Sequence, residues 1–386
     1  MTSTPLWFKL SMATLTAVSL LVAVVMMPMV ANERENRTVR AELIDLAARY
    51  ASAGTDARAA GDLAMAGRAY AAALELRPTD AELRQQLATV HIEQILNNSA
   101  VLDDATVQPL QLELSNRMLS GHRDARTLTA YAKILLYRGF HEPARERLRE
   151  AVALDGELLA AHIFLADALL RAEEWTGAQA SAERALSIAP DDGLAHYAMG
   201  QAKRGQEDWE AAAQHFEKAA EAIGGFGAWR ALARARHEQE KWPEAEAAYQ
   251  KALALRPDAA GLYSGFARAL AFNDKLGPAA RYFQMAWERT ADVDAYASLG
   301  DVALKGKDFE RAARIFSEMI RMRGLDPEML CRLGYAQEGR GDTEQARRAF
   351  QRCEKVATGV EGKDRLVQAA QAKLRELTPE AAPAEQ

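Results

Sequence analysis

One spacing constrains this chain more than any other feature. An alanine opens the pattern A-x-x-x-[aromatic or Leu] at Ala144, Ala178, Ala212, Ala245, Ala279, Ala312 and Ala346, at intervals of 34, 34, 33, 34, 33 and 34 residues. Ala66 is an earlier member of the series. Twelve residues before each of these stands another small residue: Gly54, Ala132, Ala166, Gly200, Ala233, Ala267, Gly300 and Gly334. Four residues after them come Tyr70, Leu148, Ala182, Phe216, Tyr249, Phe283, Phe316 and Phe350, all large but one. Twelve after, Pro78, Gly156, Pro190, Gly224, Pro257 and Gly324 interrupt the chain. Between these marks the apolar residues recur at i, i+3 and i+4, which predicts helix everywhere beyond Arg40. A fixed period of this length means a stack of similar helix pairs. Small residues are then required where paired helices cross closest, because extra side-chain volume there costs about 1–3 kcal/mol by overpacking. The aromatic four residues on is expected to fill the gap to the next unit. Trp175, Trp209, Trp242 and Phe309 fall at the predicted starts of second helices and are read as plugs at the junctions.

This pattern resembles the tetratricopeptide repeat. The resemblance implies an all-α, right-handed superhelical solenoid of helix hairpins over residues 47–360, about nine units in all. The repeats are placed at 47–80, 125–158, 159–192, 193–225, 226–259, 260–292, 293–326 and 327–360. Residues 81–124 form an irregular unit: a first helix over Ala81 to Gln94, a loop containing Asn97, Asn98, Ser99, Asp103 and Asp104, and a second helix from about Val107 to Ser120. Residues 361–377, with Leu366, Val367, Ala370 and Leu374 among charged neighbours, read as a capping helix that closes the last open face. The tail from Thr378 to Gln386 reads as disordered.

The amino-terminal part has a different character. From Leu10 to Val30 the chain carries no charge for 21 residues, enough at about 1.5 Å per helical residue to cross roughly 30 Å of hydrocarbon. The run is longer than a usual cleaved leader, and the best cleavage point, after Ala31, has the bulky Met29 two residues before it. It therefore reads as a signal anchor: a transmembrane helix over 10–30, a tail over 1–9, and a juxtamembrane segment over 31–46 that starts the first helix. Lys9 and the terminal amine balance Arg34, Arg37 and Arg40, so charge leaves the orientation open. A short tail ahead of a large folded domain fits export. The expectation is a single-pass inner-membrane protein with its repeats in the periplasm, cytoplasmic facing being the alternative.

Composition narrows the function. With 49% hydrophobic and 26% charged residues the chain is globular. A net charge of −6 argues against a sequence-independent nucleic-acid binder. The sequence holds no H-E-x-x-H, no phosphate loop, no dinucleotide glycine fingerprint, no G-x-S-x-G and no C-x-x-C, so no enzyme, metal, cofactor or small-molecule substrate is expected. His162 and His196 share the fourth place of their repeats and read as packing residues. Asp191, Asp192 and Asp208 read as helix caps. Cys353 stands where other repeats have alanine, which favours a small buried thiol. Cys331 lies on the facing helix of the same unit, within reach of a disulfide.

The resemblance also implies that the second, fifth, ninth and twelfth or thirteenth places of each repeat face a concave groove. Those places hold Arg126, Lys133, Arg171, Arg204, Arg230, Arg234 and Arg268, interleaved with Tyr137, Ile163, Tyr197 and Phe272, with Asp167 as the one acid. Further on they hold Asp294, Asp301, Glu328 and Glu338, with Tyr335. A cationic floor with aromatics suits an acidic peptide read by arginine forks. Two other outcomes stay open: the arginines pair with neighbouring acids, or they simply keep the surface soluble. The function this predicts is a membrane-anchored scaffold binding a partner protein or peptide in a bacterial envelope assembly. Two narrower resemblances give alternatives. The stretch LATVHIEQ (residues 87–94), with the loop and helix that follow, resembles the repeat domain of apocytochrome holdases of c-type cytochrome maturation, a family with additional membrane segments. Length, anchor and repeat number resemble the membrane-anchored regulators of lipopolysaccharide synthesis, whose terminal C-x-x-C pairs are missing here.

Overall fold

The computed structural model describes residues 33–98, 100 and 102–377. The apolar run Leu10–Val30 and the tail from Thr378 lie outside the described residues. Among the described residues no helix is long and apolar enough to cross a membrane.

Every described regular element is helical. The chain divides into two compact units, one ending at Pro190 and one beginning at Asp191. In the first, α1 (Glu33–Ala59) pairs with α2 (Leu63–Leu76), followed by α3 (Ala81–Leu96) and α4 (Asp104–Leu119). Two hairpins complete it: α5 (Ala125–Tyr137) with α6 (His141–Leu154), and α7 (Leu159–Arg171) with α8 (Trp175–Ile188). Asp104 belongs to a helix and not, as expected, to the inserted loop. Asp103 and Thr106 form a reciprocal capping box that starts the helix there.

The second unit runs α9 (Gly193–Gly205), α10 (Trp209–Ile223), α11 (Phe226–Glu238) and α12 (Trp242–Leu255). A short 3₁₀ turn (Ala260–Leu262) leads into α13 (Tyr263–Phe272) and α14 (Leu276–Thr290). Then come α15 (Val293–Lys305), α16 (Phe309–Arg323), α17 (Pro327–Gly339), α18 (Thr343–Ala357) and α19 (Asp364–Leu377). Aspartates start many of these helices: Asp192, Asp208, Asp292, Asp308, Asp326 and Asp342 each accept a hydrogen bond from a first-turn amide. Each turn inside a hairpin holds one residue left-handed, Glu207, Glu240, Asp274 and Lys307 among them, which reverses the chain in three residues.

The periodic alanines are the floor of the core. Ala66, Ala144, Ala178, Ala212, Ala245, Ala279, Ala312 and Ala346 are all fully buried. The aromatic four residues on lies chiefly over the small residue of its own hairpin. A Cβ built on Gly54 would come within 3.0 Å of the Tyr70 ring, one on Gly200 within 2.6 Å of Phe216, and one on Gly300 or Gly334 within 2.7 Å of Phe316 or Phe350. This corrects the expectation that these rings fill the gap to the next unit. Tyr249 reaches outward, its hydroxyl lying against Gly265 of the following hairpin. The junctions are filled by the helix-start aromatics: Phe309 covers Gly339, and Trp242 stacks on Phe272.

Cys331 and Cys353 form a disulfide, against the reading of a free buried thiol. The crossing of α17 and α18 brings their Cα atoms to 5.4 Å, within the span a disulfide bridges. Helix α19 buries Ala370 against this last hairpin, and ion pairs tie Lys373 on it to Glu338 and Lys363 just before it to Glu328, both on α17.

A candidate anion-binding groove

In the first unit the three candidate cations are already occupied. Arg126 lies 3.6 Å from Glu93, and the Arg171 guanidinium donates to Asp167 at 3.3 Å. Lys133 stands 4.4 Å above the Phe164 ring, where burial pushes its ammonium below the ordinary lysine range.

The second unit is different. Helix α9 presents Tyr197, Gln201 and Arg204 at i, i+4 and i+7; α11 presents Phe226, Arg230 and Arg234 at i, i+4 and i+8; α13 adds Arg268. These spacings put each set on one helical face. Together with Tyr249, His237 and Arg256 they line a cavity of about 640 Å³. Five of the candidates, Tyr197, Arg204, Arg230, Arg234 and Arg268, therefore share one site. Its five arginines face a single acid, Glu238. Arg234 lies 3.8 Å from that acid. Among the described residues Arg204, Arg230, Arg256 and Arg268 form no ion pair, and the Arg204 Nε and Gln201 Oε1 are buried without a hydrogen-bond partner. Arg256 and Arg230 stand 4.0 and 5.6 Å over the Phe226 ring.

The floor between the arginines is neutral. Burial, and then the Arg268 charge, holds the His237 imidazole below its ordinary pKa, while burial pushes the Tyr249 phenol up to about 12. The two rings approach at 3.3 Å between Tyr249 Oη and His237 Nδ1. Gln201 Nε2 donates to Tyr197 Oη at 2.8 Å and fixes that ring. The arrangement offers planar, multi-donor cations around a wettable aromatic floor, which is the chemistry that reads carboxylates and phosphates.

The acidic stretch that follows is self-neutralised. Asp294 pairs with Arg323 at 3.3 Å, Asp301 with Arg332 at 3.2 Å, Glu338 with Lys373 at 2.9 Å, and Glu328 with Lys363. In this unit, then, the groove's unsatisfied charge is concentrated on the arginines. Phe226 and Arg256 were not among the expected residues. Phe226 is an aromatic at the first place of its repeat, where Gly193, Val293 and Pro327 stand elsewhere, and that was the available signal. Arg256 comes from the turn between repeats, outside the first-helix places.

Residues 130–193, 226–259 and 298–359 match profiles of the tetratricopeptide repeat, and the chain carries these repeats. A search of curated proteins finds no match. Among solved structures the chain is similar to YrrB, described as a tetratricopeptide repeat protein with an unusual peptide-binding site. The identity is 20%, over 54% of this chain and 99% of that one, with a TM-score of 0.44. It is similar to pilF of Pseudomonas aeruginosa at 18% identity, over 56% and 97% of the two chains, TM-score 0.44. It is also similar to a human IFIT1 dimer with m7Gppp-AAAA at 18% identity, over 77% and 68%, TM-score 0.47.

Proposed function

We propose that this chain is a membrane-tethered scaffold that holds a partner protein by an acidic peptide segment in the arginine-lined groove of its second unit, as part of a bacterial envelope assembly. It acts by binding and positioning, with no chemical step of its own. The apolar run Leu10–Val30 supplies the tether and directs the repeats to the periplasm. The observation that carries the reading is the set of four arginines, 204, 230, 256 and 268, that face one cavity with no acid paired to any of them among the described residues. Four like charges around one cavity repel one another, and an anionic ligand relieves that repulsion.

The test uses the full chain in detergent and a labelled Asp/Glu-rich dodecapeptide followed by anisotropy. Binding is expected to weaken steeply as salt is raised from low to physiological ionic strength. Arg230→Glu or Arg204→Glu should each cost about 2 kcal/mol or more, whereas Lys251→Glu, on the exposed side of α12, should cost little. Indifference to salt together with indifference to both groove substitutions removes the proposal.

A further inference from the structure

Next to the arginine cavity, and sharing Arg268 with it, lies a second cavity of about 490 Å³. Its walls include Trp242, Phe272, Phe283 and Val302. The Trp242 and Phe272 rings are stacked, 4.1 Å apart and 6° from parallel. Stacking holds Phe272 rigid, yet it remains 57% exposed. Of its charged wall residues, Asp301 and Lys305 already have partners in Arg332 and Asp274, while Glu240 and the shared Arg268, of opposite sign, form no ion pair among the described residues. The charges of this cavity therefore balance, whereas the one beside it carries a net excess of cations.

We infer that the segment bound in the groove is bipartite: an anionic cluster held by Arg204, Arg230 and Arg268, and a large apolar side chain two residues away that enters the Trp242–Phe272 cavity. The proposal rests on the acidic-peptide reading given above and adds the ligand's sequence grammar. The spacing follows from α13. Phe272 lies one turn beyond Arg268, about 6 Å along the helix axis at ~1.5 Å per residue. An extended peptide covers that distance in about two residues at ~3.3 Å each. A single-stranded nucleic acid suits the pair of cavities less well, because the second cavity carries the acids Glu240 and Asp301, and its lysine, Lys305, is already paired with Asp274.

The experiment uses the full chain and four labelled probes: an Asp-Glu-Asp peptide with Leu two residues out on either side, the same peptide with Gly in those places, the same with Leu five residues out, and a short oligoadenylate RNA. The first peptide should bind about tenfold more tightly than the second and third, the worth of one buried leucine-sized contact. Phe272→Ala should erase that advantage and leave the glycine peptide's affinity unchanged, Phe272→Leu should keep part of it, and Arg230→Glu should weaken all three peptides. Equal affinities for the three peptides, with Arg230 still required, overturn the bipartite inference and leave the groove reading standing. Equal weakening of the leucine and glycine peptides by Phe272→Ala overturns it too, since that is damage to the fold. Failure of every peptide to bind overturns both readings, and tighter binding of the RNA than of any peptide overturns the peptide as the ligand.

Discussion

His196 and His215 face each other across the α9–α10 hairpin with their Nδ1 atoms 3.0 Å apart, so one ring donates and the other accepts. Burial is the main reason the His215 pKa falls to about 4; the charges of His196 on α9, then Lys218 on α10 and Lys203 on α9, lower it further. The sign of the linkage follows directly. A free histidine titrates near 6.5, so between about 6.5 and 4 the unfolded chain holds the proton that the folded one refuses. The stability tied to neutral His215 is complete above 6.5 and is lost as pH falls toward 4. For a half-buried ring, with solvent screening allowed for, this amounts to about 1–2 kcal/mol. His215→Gln keeps a polar partner for His196 without the titration. Urea unfolding at pH 7.5 and 4.5 should therefore show a smaller acid loss in the variant than in the parent, and equal losses would refute the assignment. The sequence marked His196 as a packing residue from its place in the repeat, and it is buried. Its partner was not legible, because position 215 corresponds to Ser181, Ala248, Tyr282, Ile315 and Ala349 elsewhere, and periodicity reveals only what recurs.

At the scale of elements the last hairpin differs from the others in being covalently closed. Cys353 occupies the place of Ala219, Ala252 and Ala286, so Cys353→Ala preserves the packing and removes only the link to Cys331. Closing a loop of 22 residues contributes about 3 kcal/mol by restricting the unfolded chain. Cys353→Ala, or reduction of the parent with dithiothreitol, should raise amide exchange across residues 327–377 and leave 293–323 nearly unchanged. Unaltered exchange after both treatments would mean that the link adds nothing. The hairpins themselves were readable because the same contact is made again and again: a ring over a methyl or a hydrogen, sixteen residues back. The groove was readable in part. First-helix places located Arg204, Arg230, Arg234 and Arg268 in one cavity, but which charges are spent could not be read. Pairing joins residues about one repeat apart, such as Asp301 with Arg332 and Glu328 with Lys363, and depends on which side chain reaches rather than on the period.

For the molecule as a whole, two features bear on where it works. A 21-residue uncharged run precedes the repeats, and the only two cysteines of the sequence are joined to each other. A disulfide persists in oxidising compartments and is rare where glutathione keeps thiols reduced, so the link accords with repeats carried outside the cytoplasm. On the proposed reading the run is the tether that carries them there, and the balanced flanking charges do not decide the direction. Fusing alkaline phosphatase after Gln386 should give an active enzyme, because that reporter needs its own disulfides, and a fluorescent protein that matures only in the cytosol should stay dark at the same position. Thiol trapping of the native chain in intact cells should find Cys331 and Cys353 blocked to alkylation until reductant is added. A bright cytosolic reporter with both cysteines alkylated without reductant would reverse the proposed orientation and move the acidic partner proposed for Arg204, Arg230 and Arg268 to the cytoplasm.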